Sequence, residues 1–184
     1  MLIELKKTSE LLEKYKNYVV QQSRANLSKL KKKNTLKLYQ SIKGEILTED
    51  NYSLIGFTME DYGFYQDQGV KGVNGKFQTR NDYKKEGFQF GKKQGVKGGL
   101  TKGIEKWVIQ KGIQFRDKKT GRFLTYKSTA FLITRSIYQK GIKPSLFFTK
   151  PFIRGYQKYI ETDLMKAYAQ DIETLVGYNL KRIK

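Results

Sequence analysis

The stretch Gly44-Glu-Ile-Leu-Thr-Glu-Asp-Asn-Tyr-Ser-Leu-Ile-Gly-Phe-Thr-Met59 decides the fold class, because strand alternation here follows directly on helical patterns. Gly44 to Glu49 and Tyr52 to Met59 read as two strands joined at Asp50-Asn51, a hairpin. Ile55, Phe57 and Met59 fall on one face, since side chains alternate along a strand. Upstream, Leu11, Leu12, Tyr15, Tyr18, Val19, Leu27 and Leu30 recur at helical spacing and predict an amphipathic helix over 8–32. Thr8 or Ser9 is positioned to cap it, and Lys31-Lys32-Lys33-Asn34 closes it, cations being favoured at a helix C-terminus. A shorter helix follows through Leu36, Leu38, Tyr39 and Ile42, stopping at Gly44. Downstream, Glu60 to Asp67 reads as a helical turn ending at Gly69.

The middle of the chain has a different character. Gly69 to Gly99 shows no hydrophobic periodicity. It carries Lys71, Lys76, Arg80, Lys84, Lys85, Lys92, Lys93 and Lys97 against Asp82 and Glu86, with Phe77, Tyr83, Phe88 and Phe90 interleaved. Gln68-Gly-Val-Lys-Gly72 recurs as Gln94-Gly-Val-Lys-Gly98. A loop this long in a compact domain is usually functional or mobile. Thr101 then caps a helix through Ile104, Trp107 and Val108 that ends near Gly112. Lys118-Lys119-Thr120-Gly121 is a turn between Phe115 and Phe123, a second hairpin candidate. Ser128 caps another helix, through Phe131, Ile133, Thr134 and Ile137, that ends at Gly141.

Lys143-Pro-Ser-Leu-Phe-Phe-Thr-Lys-Pro-Phe152 makes an extended apolar connection, whose Phe147, Phe148 and Phe152 read as a clamp packing the last helix onto the sheet. From Pro151 the pattern is helical almost to the end. Ile153, Tyr156, Ile160, Leu164, Ala167, Ile172, Leu175, Val176 and Leu180 fit one stripe, on a helix roughly 45 Å long. The expected fold is α+β: an antiparallel sheet of hairpins packed by long N- and C-terminal helices, with a long basic Gly-rich loop. The whole chain, 1–184, reads as one domain: 8–68 helix plus hairpin, 69–100 basic loop, 101–150 helices and second hairpin, 151–184 C-terminal helix.

Composition narrows the chemistry. With 37 Lys and Arg against 17 Asp and Glu, the formal net charge is +20. A charge of that size favours anionic partners, namely nucleic acid, a membrane surface or an acidic protein face; a solvated Lys-rich surface is the other reading. There are no Cys and no His, which excludes disulfides, thiolate chemistry, His-based zinc sites and Ser-His-Asp or Cys-His machinery. No segment approaches a membrane-spanning length. The N-terminal MLIELKKTSELLEK lacks the apolar core of a secretion signal, so a cytoplasm-like compartment is expected, and the acceptor patterns at Asn26 and Asn51 read as chance.

Neither Gly75-Lys76 nor Gly91-Lys92 completes a phosphate-cradling GxxxxGK[ST], and GxGxxG is absent from a strand-to-helix context. Glu60, Asp61 and Asp67 lie close enough in sequence to hold Mg²⁺ or do acid–base work; a solvated or paired acidic cluster is the plainer reading. Asp163, Asp171 and Glu173 fall on the polar face of the last helix, as surface or interface charges. No catalytic, cofactor-binding or metal residue is assigned. The basic loop with its aromatics is the strongest local feature, since cations neutralise phosphates and rings stack on unpaired bases; equally, its aromatics could pack on the domain or on a neighbouring subunit.

Two segments together resemble a known family. Asp61-Tyr-Gly-Phe-Tyr-Gln-Asp-Gln-Gly-Val-Lys-Gly72 and Lys143-Pro-Ser-Leu-Phe-Phe-Thr-Lys-Pro-Phe152 are similar to two segments of tailed-bacteriophage neck proteins, the head–tail joining or tail-completion family. The order of elements matches from about residue 8 to 175. The resemblance implies a non-enzymatic α+β virion subunit without cofactor. It implies a homo-oligomeric ring, twelve-fold where it matches a portal, that contacts portal or adjacent neck and tail proteins and encloses the genomic DNA channel. It also implies a place in the virion neck, with host cytoplasm as the site of assembly and no membrane partner. Carried over by position, Tyr62, Gly63, Tyr65 and Gly69 would fix the turn after the hairpin, and Pro144, Phe147, Phe148 and Pro151 would anchor the last helix. The Gly69–Gly99 insertion departs from that pattern. The alternative is a sequence-nonspecific nucleic-acid-binding protein of phage DNA metabolism or packaging; a Mg²⁺ enzyme built on Glu60–Asp67 is a third.

Overall fold

The structure, a computed structural model, describes residues 5–32, 35–49, 52–74 and 99–183. It is α+β, with helices dominant and, among the described residues, two separate two-stranded antiparallel sheets. The chain, read above as a single domain, divides into two compact units, Met1–Gly63 with Leu146–Lys184, and Phe64–Ser145.

The first unit is organised on α1 (Lys6–Lys29), which turns Leu11, Leu12, Tyr15, Val19, Ser23 and Leu27 inward. Neither Thr8 nor Ser9 caps it. The residue before the helix is Leu5, and the first turn holds no acid. The orphan amides of Lys7 and Thr8 donate instead to the two carboxylate oxygens of Asp171, at 2.9 and 2.8 Å. Asp171 is therefore buried, not a surface charge on a polar face. Its position answers a physical need, because the first amides of a helix have no partner within it and carry the positive end of its dipole.

Short α2 (Lys37–Ser41) leads into the hairpin β1 (Lys43–Thr48) and β2 (Ser53–Thr58), in register Gly44↔Phe57 and Ile46↔Ile55; the Asp50-Asn51 turn lies outside the described residues. The inward face is the alternating one: Gly44, Ile46, Ile55 and Phe57 are half-buried, while Lys43, Glu45 and Leu47 point out. Gly44 lets the hairpin lie against α1, since a Cβ there would sit 2.6 Å from the stem of Lys16. The core is Leu27, Leu38, Ile42 and Phe147, flanked by Val20, Tyr39, Met59 and Phe148. Beside it Phe57 meets Tyr15, Phe148 and Phe152 edge-on, with ring centroids 5.6–6.1 Å apart, each such pair adding about 0.5–1.5 kcal/mol beyond area burial.

The C-terminal helix is one rod with a widened turn. α6 (Thr149–Gly155) begins two residues before Pro151, whose missing N–H falls in the first turn where no helical partner is lost. A π-helical turn over Tyr156–Glu161 follows, then α7 (Thr162–Ile183). The residues facing inward are Pro151, Gly155, Tyr159, Asp163, Ala167, Asp171 and Leu175. Steps of four residues drift by about 40° each on a regular α-helix, and the π turn takes up part of that drift. The single apolar stripe expected from the sequence is consequently split. Ile160, Leu164, Ala167 and Leu175 are half-buried, whereas Ile153, Tyr156, Ile172, Val176 and Leu180 are exposed. Gly155 sits against Tyr15 and Tyr18, 2.9 Å from each ring for a Cβ built there, and Tyr18 packs on Tyr159 at 5.6 Å.

In the second unit, α4 (Gly99–Lys111) packs on α5 (Tyr126–Lys140) through Val108, Thr129 and Ala130. The helix α4 starts ahead of Thr101. Gly112, at φ +63°, ends it, and α5 is capped by Thr125, whose hydroxyl accepts from the Ser128 amide at 3.1 Å. The expected second hairpin reduces to one bridge, Arg116↔Phe123. Phe115 and Phe123 are both exposed, so no buried face rewards a longer ladder. The second sheet is instead β3 (Val70–Lys71) against β4 (Gly141–Ile142). The one sheet of hairpins expected from the sequence is thus replaced, among the described residues, by the β1–β2 hairpin in the first unit and the β3–β4 pair in the second.

Candidate functional site

The two segments that carry the family resemblance are joined to one another. α3 (Tyr62–Gln68) holds the first, and its terminal carbonyls are taken by the second. The Ser145 amide donates to Gln66 O and Asp67 O at 3.2 and 3.1 Å, and the Ser145 hydroxyl to Gln66 O at 2.6 Å. These residues are 79 apart in the chain. Gly69 follows at φ +79°, donates back to Tyr65 O at 3.0 Å, and lies so close to Pro144 that a Cβ would stand 2.7 Å from the ring. Val70 then pairs with Ile142, and the Val73 and Asn74 amides donate to Tyr138 O and Gln139 O. The first copy of the repeated pentapeptide has a definite use here: Gly69 and Gly72 both admit the backbone of residues 139–142 at distances no side chain allows. The second copy, Gln94–Gly98, lies outside the described residues.

Of the other positions singled out, Gly63 is buried, with a Cβ there 2.7 Å from Leu38 and 2.8 Å from the Met59 sulfur. Tyr62 and Tyr65 are exposed, as is Phe64 between them, so α3 displays three rings. Phe147 is fully buried, and its carbonyl accepts from Asn26 Nδ2 at 3.1 Å. Phe148 packs on Phe57 and Phe152, and Pro151 is buried. The chain passes between its two units at Gly63–Phe64 and at Ser145–Leu146, inside these same two segments.

Of the basic loop, Lys71 is described and is exposed on β3; Lys76, Arg80, Lys84, Lys85, Lys92, Lys93 and Lys97 lie outside the described residues. A different basic element is well formed. The Asp117 carboxylate accepts from the amides of Thr120 (2.8 Å) and Lys119 (3.0 Å) and from the Thr120 hydroxyl. Those bonds, the Thr120 amide first, hold the carboxyl below its usual range. The turn so fixed presents Lys118, Lys119 and Arg122 to solvent, with Arg116 stacked 4.4 Å over the exposed Phe123 ring. Sequence reading took this stretch only as a hairpin turn; its signal was four cations in seven residues around a single acid.

The carboxylates do not converge. Glu60 pairs with Lys37 at 3.1 Å, Asp61 is exposed, and buried Asp67 accepts from Gln68 Nε2 at 2.6 Å. Among the described residues no three acids are placed to hold a metal ion. A shallow cleft of about 410 Å³ beside the hairpin is lined by Ser41, Lys43, Thr58, Met59, Glu60 and Asp61. Of its two hydroxyls, that of Ser41 is spent on structure, accepting from the Glu60 amide and donating to Leu38 O, both at 3.0 Å. No helix among the described residues is long and apolar enough to cross a membrane. Comparison with family models, with curated proteins and with solved structures gave no match.

Proposed function

We propose that the protein is a structural subunit of a phage neck, a component of a ring that joins portal to tail and continues the DNA channel, and that it works by binding rather than catalysis. The observation that supports this reading best is the junction just described. The two segments that carry the resemblance, far apart in the chain, meet through Ser145, Gln66 and Asp67 and through Gly69 and Pro144. Segments brought together in one structural element are what a shared architecture requires of its motifs; two chance matches need not touch. The long helix that ends the chain, with apolar side chains left uncovered along it, suits a subunit completed by neighbours. The test is quantitative mass spectrometry of purified particles, with presence at the copy number of the portal protein expected and absence contradicting the proposal.

The ordered basic turn favours a second reading, sequence-nonspecific binding of nucleic acid. Replacing Lys118, Lys119 and Arg122 together by Ala would then lower the slope of log affinity against log salt by about 2–3, each lost phosphate contact contributing about 0.7–0.9. Binding of single- or double-stranded DNA that is absent, or indifferent to salt, removes this reading.

A further inference from the structure

The uncovered face of α7 is less basic than the chain as a whole. α7 carries Asp163, Asp171 and Glu173 against Lys166, Lys181 and Arg182, no net charge in a chain of +20, and Glu161 ends the π turn just before it. Asp171 is occupied at the start of α1, and Asp163 lies 3.9 Å from Lys166. Glu161 and Glu173 are exposed, and no ion pair among the described residues involves them. Between them runs a second apolar stripe at helical spacing, turned away from the inward residues Ala167, Asp171 and Leu175. Met165, Tyr168, Ile172, Val176 and Leu180 are 74, 45, 39, 52 and 61% exposed. A helix that buries one stripe and leaves another open, edged by acids, has the form of a binding face with an apolar centre and a charged rim.

An exposed apolar pair edged by cations occurs on the same chain. No acid lies between Tyr126 and Lys140. α5 buries Thr129 and Ala130 and turns outward Phe131 and Leu132, 58 and 41% exposed, with Lys127 and Arg135 one turn to either side of Phe131. The two faces differ, so a contact between them is heterologous: each copy offers one face to the copy ahead and the other to the copy behind. Such contacts close into rings or run on as filaments. A like-to-like meeting of two α7 faces would instead set Glu161 and Glu173 against their own kind.

We infer that the open α7 stripe of one copy docks on the Phe131–Leu132 face of α5 in the next, with Glu161 and Glu173 meeting Lys127 and Arg135. This rests on the ring reading above for its biological setting, and on these two faces for its chemistry.

The chain contains no cysteine, so introduced thiols are the only ones present. Tyr168→Cys and Leu132→Cys proteins, full length and mixed, should form a mixed disulfide dimer on mild oxidation, at least about tenfold faster than either protein alone and more slowly as salt screens the rim charges. Adding Glu161→Lys and Glu173→Lys to the first protein should abolish that advantage. Adding Lys127→Glu and Arg135→Glu to the second should restore it. Folding of every variant is checked by circular dichroism, and the charge-swapped pair guards against loss through misfolding. No preference for the mixed dimer, or equally fast dimers of Tyr168→Cys protein alone, overturns the inference. Its fate separates from that of the neck reading. A protein missing from particles whose faces still cross-link keeps the contact and loses the neck. A protein present at full copy number despite reversed Glu161 and Glu173 keeps the neck and loses the contact.

Discussion

Replacing Asp171 tests how the first unit is held together. Its carboxylate takes the Lys7 and Thr8 amides at 2.9 and 2.8 Å, from 164 and 163 residues away. Removing a cap costs about 0.5–2 kcal/mol, and loss of a partly buried anion at a helix N-terminus costs up to about 2 kcal/mol. The two overlap and part is returned, because Asp171 no longer has to be desolvated. Asp171→Ala should therefore destabilise the unit by about 2 kcal/mol, and Asp171→Asn, which keeps one acceptor, by about 1 kcal/mol. Hydrogen exchange read at the Lys7 and Thr8 amides is the direct assay, and about 2 kcal/mol corresponds to roughly thirtyfold faster exchange.

The pH dependence has a definite sign. Burial opposes the Asp171 charge, but the Lys7 and Thr8 amides outweigh it and hold the carboxyl below its ordinary value. Below about pH 4 the unfolded chain takes up the proton first, so this stabilisation is whole above that pH and lost as pH falls through the native value. Asp171→Ala protein should lack that part of the acid limb. Exchange at Lys7 and Thr8 unchanged within twofold in Asp171→Ala protein would refute the account of the cap.

Gly155→Val should cost about 1–3 kcal/mol in urea unfolding, since its side chain would enter the space held by the Tyr15 and Tyr18 rings. Gly155→Ala should cost less, the helix propensity of alanine offsetting part of the crowding. Burial, with Tyr156 adding to it, pushes the Tyr15 hydroxyl up to about 12; stability should fall by about 1.4 kcal/mol per pH unit between about pH 10 and that value, and Tyr15→Phe should flatten this limb. Gly141→Ala, at φ +90° with its Cβ directed into Val70 O, should cost more than about 2 kcal/mol and expose the Val73 and Asn74 amides to exchange.

What the sequence made legible followed periodicity. The hairpin and α1 were readable because their apolar residues repeat at two and at three to four over several turns. The cap by Asp171 was hidden: within its own helix it reads as one more polar residue, and its partners are backbone amides at the other end of the chain. The β3–β4 pair is too short to show alternation, and its signal was steric: Gly69, Gly72 and Gly141 mark the close approach. The π turn shifts phase without any Pro or Gly to announce it, so two apolar stripes on the last helix were read as one. The resemblance segments were readable as motifs, but only the structure reveals that Ser145 ties one to the other. The loop cations from Lys71 to Lys97 stand out in the sequence as a basic run, whereas the turn at Arg116–Phe123 reads only as a hairpin between Phe115 and Phe123, because the bonds by which Asp117 orders it leave no pattern in the sequence.

The central claim, that this protein is a stoichiometric part of a neck, is tested most directly by counting it. Quantitative mass spectrometry of purified phage particles from the source should find it at the copy number of the portal protein, after washing at a salt concentration that strips loosely held basic proteins. Particles that are complete and infectious without it would contradict the account.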